Sequence, residues 1–162
     1  MLNRRLALLA ALAGLALAGC GFSPLYSTAG YDRLAGLTVE AGPERFDYLL
    51  QDAVRDFAGP GASPYVLRLE TDLSSRPAGV SPTGDATRAD LTARVLYVLE
   101  GGPGEPLAGE REVTIAFDQP RDPYARLAAQ GEAEERLAGR LAEELMQGVA
   151  VELRRREAGL TP

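Results

Sequence analysis

Histidine, lysine and tryptophan are absent from all 162 residues, and cysteine occurs once, at Cys20. Without an imidazole there is no Ser/His or Cys/His nucleophilic pair, and with one thiol there is no Cys/His zinc site. A single cysteine also excludes a disulfide within the chain. Long apolar runs are missing too: the stretch Leu6 to Ala18 falls short of the roughly 20 apolar residues that a spanning helix needs. Positive charge is in deficit, with 17 basic residues against 23 acidic ones and a net charge of −6. A field of that sign disfavours nucleic acid and anionic lipid. No glycine-rich stretch is followed by Lys-Ser or Lys-Thr, so a phosphate loop is excluded. No Asp/Glu pair stands out by spacing as an acid/base couple. These absences predict a protein that is not an enzyme and uses no cofactor and no metal.

The N-terminus supplies the strongest positive signal. Arg4 and Arg5 precede the apolar run, and Leu17-Ala18-Gly19-Cys20 closes it, the charged, apolar and small-residue order of a secretory signal. Those last four residues resemble the lipobox of bacterial lipoproteins. By that resemblance residues 1–19 are a signal that is removed, and Cys20 becomes the acylated first residue. Several acyl chains make a durable membrane anchor where one is marginal. Residue 21 is Gly, not the Asp that can retain a lipoprotein at the inner membrane, so the expected location is the periplasmic side of the outer membrane. Loss of Arg4 and Arg5 leaves the mature chain two charges more negative than the full sequence.

Residues 20–36 are small, polar and turn-rich and read as an acylated flexible tether. Residues 37–162 are long enough for one domain with its own core. Leu37 to Glu40 is a short strand. Phe46, Leu49, Leu50, Ala53, Val54 and Phe57 recur at the spacing of one buried helix face, and Gly59-Pro60 ends that helix. Tyr65 to Leu73 alternates, with Tyr65, Leu67, Leu69 and Leu73 inward and Arg68, Glu70 and Asp72 outward. Thr87 to Leu99 alternates again, placing Ala89, Leu91, Ala93, Val95, Tyr97 and Leu99 inward. Between them Ser74 to Ala86, rich in Pro, Gly and Ser, reads as a loop long for a hairpin. Glu110 to Asp118 is a further strand.

From Asp122 or Pro123 a helical stripe runs through Tyr124, Leu127, Leu137, Leu141, Leu145, Val149 and Leu153. Gly131, Gly139 and Gly148 each cost about 1 kcal/mol relative to Ala inside a helix, and a break or kink is expected near Gly131. Short links between consecutive strands imply antiparallel pairing. The fold class is therefore α+β: a two-layer sandwich of a mostly antiparallel four-stranded sheet on two helices.

Cys20-Gly21-Phe22-Ser23-Pro24-Leu25-Tyr26, taken with the lipobox before it, resembles the LptE family of lipoproteins, partners of the outer-membrane lipopolysaccharide translocon. The amphipathic helix at Phe46 to Phe57, the strand entered by Thr87-Arg88, the strand ending at Phe117 and the helix opened by Tyr124-Ala125 agree with it in layout. The resemblance implies a domain that plugs the lumen of an LptD-like β-barrel and assists its assembly and lipopolysaccharide transport. It also implies contact with lipopolysaccharide. The guanidinium fork matches phosphate, which makes Arg76, Arg88 and Arg94 the candidates. The competing reading of these arginines is cross-strand ion pairing on a solvated face. For the whole protein the alternative is an auxiliary lipoprotein of another envelope lipid transport system.

Overall fold

Alternation over three successive segments and helical periodicity over two produce the elements in the expected order. The computed structural model describes residues 31–80 and 86–159. Cys20, the signal and the Cys20 to Tyr26 segment lie outside the described residues. The elements are β1 (Thr38–Glu40), α1 (Arg45–Ala58), β2 (Val66–Val80), β3 (Ala86–Glu100), β4 (Leu107–Asp118) and α2 (Pro123–Glu157). The sheet order is β1-β2-β3-β4. β1 runs parallel to β2, reached through a crossover that contains α1, and the other two pairs are antiparallel. The α+β sandwich expected from the sequence is the observed fold.

Both helices lie on one face of the sheet. Leu67, Leu91, Val95, Leu137, Leu141, Leu145 and Val149 are fully buried between the layers, and Leu50 and Val54 of α1 join them. Every β3 residue assigned inward, from Ala89 to Leu99, is buried. Asp47, in the first turn of α1, is also buried. It accepts the backbone N–H of Glu44 at 3.0 Å and the hydroxyl of Thr71 on β2, so one carboxylate caps the helix and ties it to the sheet. Glu134 of α2 is buried against Arg45 of α1 and receives Gln130 at 3.0 Å, joining the two helices.

Four expectations change. Most of Ser74 to Ala86 is strand, because Ser74 pairs with Thr92 and Arg76 with Asp90. Ladder pairing absorbs Pro77 and Gly79 as register irregularities there. The break near Gly131 does not occur: α2 is continuous from Asp122, whose side chain accepts the Ala125 N–H at 2.8 Å, through to Glu157. Tyr124 and Leu127 lie on the predicted stripe but are 85% and 71% exposed, since the packed part of α2 begins only at Ala133.

The tether reading, finally, does not hold up to Gly36. Tyr31 to Gly36 is a turn whose Leu34 is fully buried, and the Gly36 N–H bonds to the Gly59 carbonyl at 2.9 Å. Gly36 has φ 74° and passes so close to Gly61 that a Cβ on Gly36 would collide with the Gly61 backbone, and one on Gly61 with the backbone of Ala35.

Candidate functional site

The outer face of the sheet is a ladder of guanidiniums and carboxylates. Strand parity puts Arg68, Glu70, Asp72 and Arg76 of β2 beside Arg88, Asp90, Arg94 and Glu100 of β3 and Glu110, Glu112 and Asp118 of β4. Arg94 grips Glu110 with two bonds, Nε to Oε1 at 2.6 Å and Nη2 to Oε2 at 2.7 Å. That bond and charge raise the Arg94 pKa above its ordinary value and hold the Glu110 carboxyl below the usual glutamate range. Arg68 is raised likewise, first by its bond to Glu40 at 2.9 Å and then by the charge of Glu100. Arg88 meets Asp118 at 3.3 Å. Thr92 and Thr114 share a hydroxyl bond at 2.8 Å. Carboxylates outnumber guanidiniums on this face.

The three predicted arginines share the face but do not converge. Arg76 and Arg88 flank Asp90 on neighbouring rows, about 7–8 Å apart by strand geometry. Arg94 lies six residues from Arg88 along β3, about 20 Å away. Arg88 and Arg94 are engaged with carboxylates, while Arg76 faces Asp90 across the ladder without an ion pair among the described residues.

Two further features were not singled out from the sequence. At the α2 C-terminal end, Tyr65, Leu99, Leu107 and Leu153 line an apolar cavity of about 470 Å³ whose rim includes Arg156. Arg156 donates to the Glu105 carbonyl at 2.6 Å. The second feature is Arg111, which points toward the helices from the apolar parity of β4. Its guanidinium lies 5.8 Å from the centroid of the Tyr97 ring and directly under Gly148 of α2. A charged residue at the position that Leu107, Val113 and Phe117 imply for an apolar one was the available signal. Among the described residues no group of metal-ligating side chains is brought together, and no helix is long and apolar enough to cross a membrane.

Comparison with known proteins gives structural likeness only. Neither a protein-family model nor a curated protein matches the sequence. Among solved structures, the chain is similar to a protein of Caulobacter crescentus CB15 provisionally described as a lipoprotein, at 26% identity over 83% of this chain and 98% of that one, with a TM-score of 0.62. It is also similar to rare lipoprotein B of Shewanella oneidensis, at 18% identity over 75% and 98% of the two chains and a TM-score of 0.58. A third likeness is to an uncharacterized lipoprotein B of Nitrosomonas europaea, at 14% identity over 73% and 83%, with a TM-score of 0.52. The two lower identities speak for the fold alone.

Proposed function

We propose that this chain is an outer-membrane lipoprotein, anchored through acylated Cys20, that seats in the lumen of an LptD-like β-barrel and assists its assembly and the passage of lipopolysaccharide. The observation that carries the reading is a coincidence: a chain resembling the LptE family at residues 17–26 also has a fold shared with solved lipoproteins. With no imidazole and a single thiol in the sequence, the role proposed is binding through surfaces rather than catalysis.

The physics of a plug supports this reading. A barrel lumen presents polar side chains. The sheet meets that environment with its charged outer face and keeps its apolar stripe against the helices. The tether would join the domain at one end, because Tyr31 packs on Phe57 near the end of α1 with ring centroids 5.6 Å apart, and Arg33 pairs with Glu157 at the end of α2. α2 is about 52 Å long at 1.5 Å per residue. Its exposed N-terminal turns, with Tyr124 and Leu127, therefore lie far from the membrane end, where they can meet the barrel wall. Arg76 and Arg88 remain the candidates for lipopolysaccharide phosphate on the outer face, and Arg94 is the weaker one because Glu110 already takes its Nε and Nη2 N–H groups. Anchoring raises the local concentration of domain near barrel, so modest affinity suffices.

Purification through a C-terminal tag in mild detergent should recover one barrel protein in near-equal amount. Depletion of the lipoprotein should lower that barrel and surface lipopolysaccharide together. Recovery of an inner-membrane transporter with barrel levels unchanged would overturn the proposal and favour an auxiliary role in another envelope lipid transport system.

A further inference from the structure

Arg111 is built into its position by residues of three elements. Tyr97 of β3 lies under the guanidinium, at a distance that suits a cation–π contact. Gly148 of α2 leaves the space above it: a Cβ there would overlap Nη2 and stand 3.0 Å from Cζ. Gly109 of β4 leaves the space for the ring, since a Cβ there would lie 2.5 Å from the Tyr97 hydroxyl oxygen. Gly148 is unfavourable for the helix by about 1 kcal/mol, and the arginine beneath it is what the missing side chain accommodates. The guanidinium spends Nη1 on the Glu110 carbonyl at 2.6 Å. Among the described residues it has no carboxylate within ion-pair distance.

A groove of about 680 Å³ opens beside it between β4 and the last turns of α2, with Arg155 on its wall. The two carboxylates of that groove are engaged along the helix, Glu144 with Arg140 at 3.9 Å and Glu152 with Arg156 at 4.0 Å. Arg155 has no carboxylate within ion-pair distance among the described residues. An inward charge on an edge strand also discourages strand addition, but that role needs neither an open groove nor a second free guanidinium.

We propose that Arg111 and Arg155 form a binding site for a phosphate group in the groove between β4 and the C-terminal turns of α2. The Arg111 guanidinium is positioned beside Tyr97 and lines the groove together with Arg155, and a guanidinium N–H suits a phosphate oxygen. The site stands apart from the ladder arginines and does not depend on the barrel reading. Dissolved phosphate and a lipid headgroup carry the same chemistry, and the experiment separates them.

The full acylated chain in a neutral detergent micelle is titrated with inorganic phosphate at constant ionic strength and, separately, with short-chain phosphatidic acid in the same micelle. The backbone amide shifts of Gly109 and Gly148 are followed. Saturable shifts are expected, with affinity falling about 10-fold in Arg155→Gln, the loss of about 1.4 kcal/mol from one charge-assisted bond. Arg111→Lys keeps the charge but not the planar guanidinium and should also weaken binding, whereas Arg55→Gln on the exposed side of α1 should not. Saturation by inorganic phosphate identifies the anion alone as sufficient, and saturation by phosphatidic acid only identifies a headgroup. Either result supports the site. No saturable shift with either probe, equal shifts from chloride, or unchanged affinity in both Arg155→Gln and Arg111→Lys would overturn it.

Discussion

Glu110 sits on a solvated strand face, yet the bonds from Arg94 keep it ionised below the usual glutamate range. For a carboxylate whose folded pKa is depressed, the stabilisation is complete above the unfolded value, about 4.3, and is lost as pH falls through the lower folded value. Arg94→Gln should therefore move the Glu110 titration, read from its side-chain carbonyl chemical shift, upward toward the ordinary glutamate range. A titration unchanged by the substitution would remove Arg94 as the cause. The same bonds weaken the case for Arg94 as a phosphate ligand, since a fork already filled by a carboxylate must first release it. Asp47 illustrates the other fate of a carboxylate. Once buried, it is tolerated because the Glu44 N–H and the Thr71 hydroxyl satisfy it.

Three glycines inside α2 have three different surroundings, and this is where propensity and packing can be told apart. A Cβ at Gly139 would meet nothing within 4 Å, and one at Gly131 would make an ordinary 3.5 Å contact with Arg45. At Gly148 it would overlap Arg111. Gly139→Ala should therefore stabilise the domain by about 0.5–1 kcal/mol, checked by the urea midpoint. Gly148→Ala should give no such gain, because the propensity it restores is offset by displacement of Arg111. Equal gains at both positions would mean that the arginine moves aside without cost.

At the strand level, side chains occupy carbonyls at or beside both sheet edges. Gln51 donates to the Val39 carbonyl of β1 at 2.6 Å, and Arg111 to the Glu110 carbonyl of β4. Arg156 takes the Glu105 carbonyl just before β4. Such groups compete with an incoming strand for the same acceptors.

The molecule as a whole is a sandwich with its N-terminal entry at one end. Leu34 lies in the core beside residues from both layers, although it precedes the first strand. Leu34→Ala should cost about 2–5 kcal/mol of unfolding free energy by denaturant titration, the range for a buried leucine. Leu127→Ala, at a 71% exposed site, should change it by less than about 0.5 kcal/mol. A small effect at Leu34 would return Tyr31 to Gly36 to the tether. The contrast also bears on the barrel proposal, since exposed Tyr124 and Leu127 are free to contribute to an interface without weakening the isolated domain.

Local pattern was enough to identify the elements and most of their inward residues, because alternation along β3 reports burial directly; on α1 the stripe placed Phe46, Leu50 and Val54 correctly, but Phe57 at its end is 40% exposed. It was enough to exclude imidazole chemistry, since that depends only on which side chains exist. What it could not decide were properties set by partners distant in sequence. Thr92 and Asp90 drew Ser74 and Arg76 into a strand across a stretch whose prolines and glycines read as loop. The joined Arg45 and Glu134 and the packed Leu137 to Val149 stripe accompanied a helix that runs unbroken through Gly131, while Tyr124 and Leu127 kept the right period with no core beneath them. The Arg111 groove belongs to the same class. Its arginine, ring and glycines are ordinary residues spread over β3, β4 and α2, and only tertiary packing places Tyr97 and Gly148 against one guanidinium. A chain's own periodicity records which side of an element is apolar, whereas the identity of what covers that side is a property of the assembled layers.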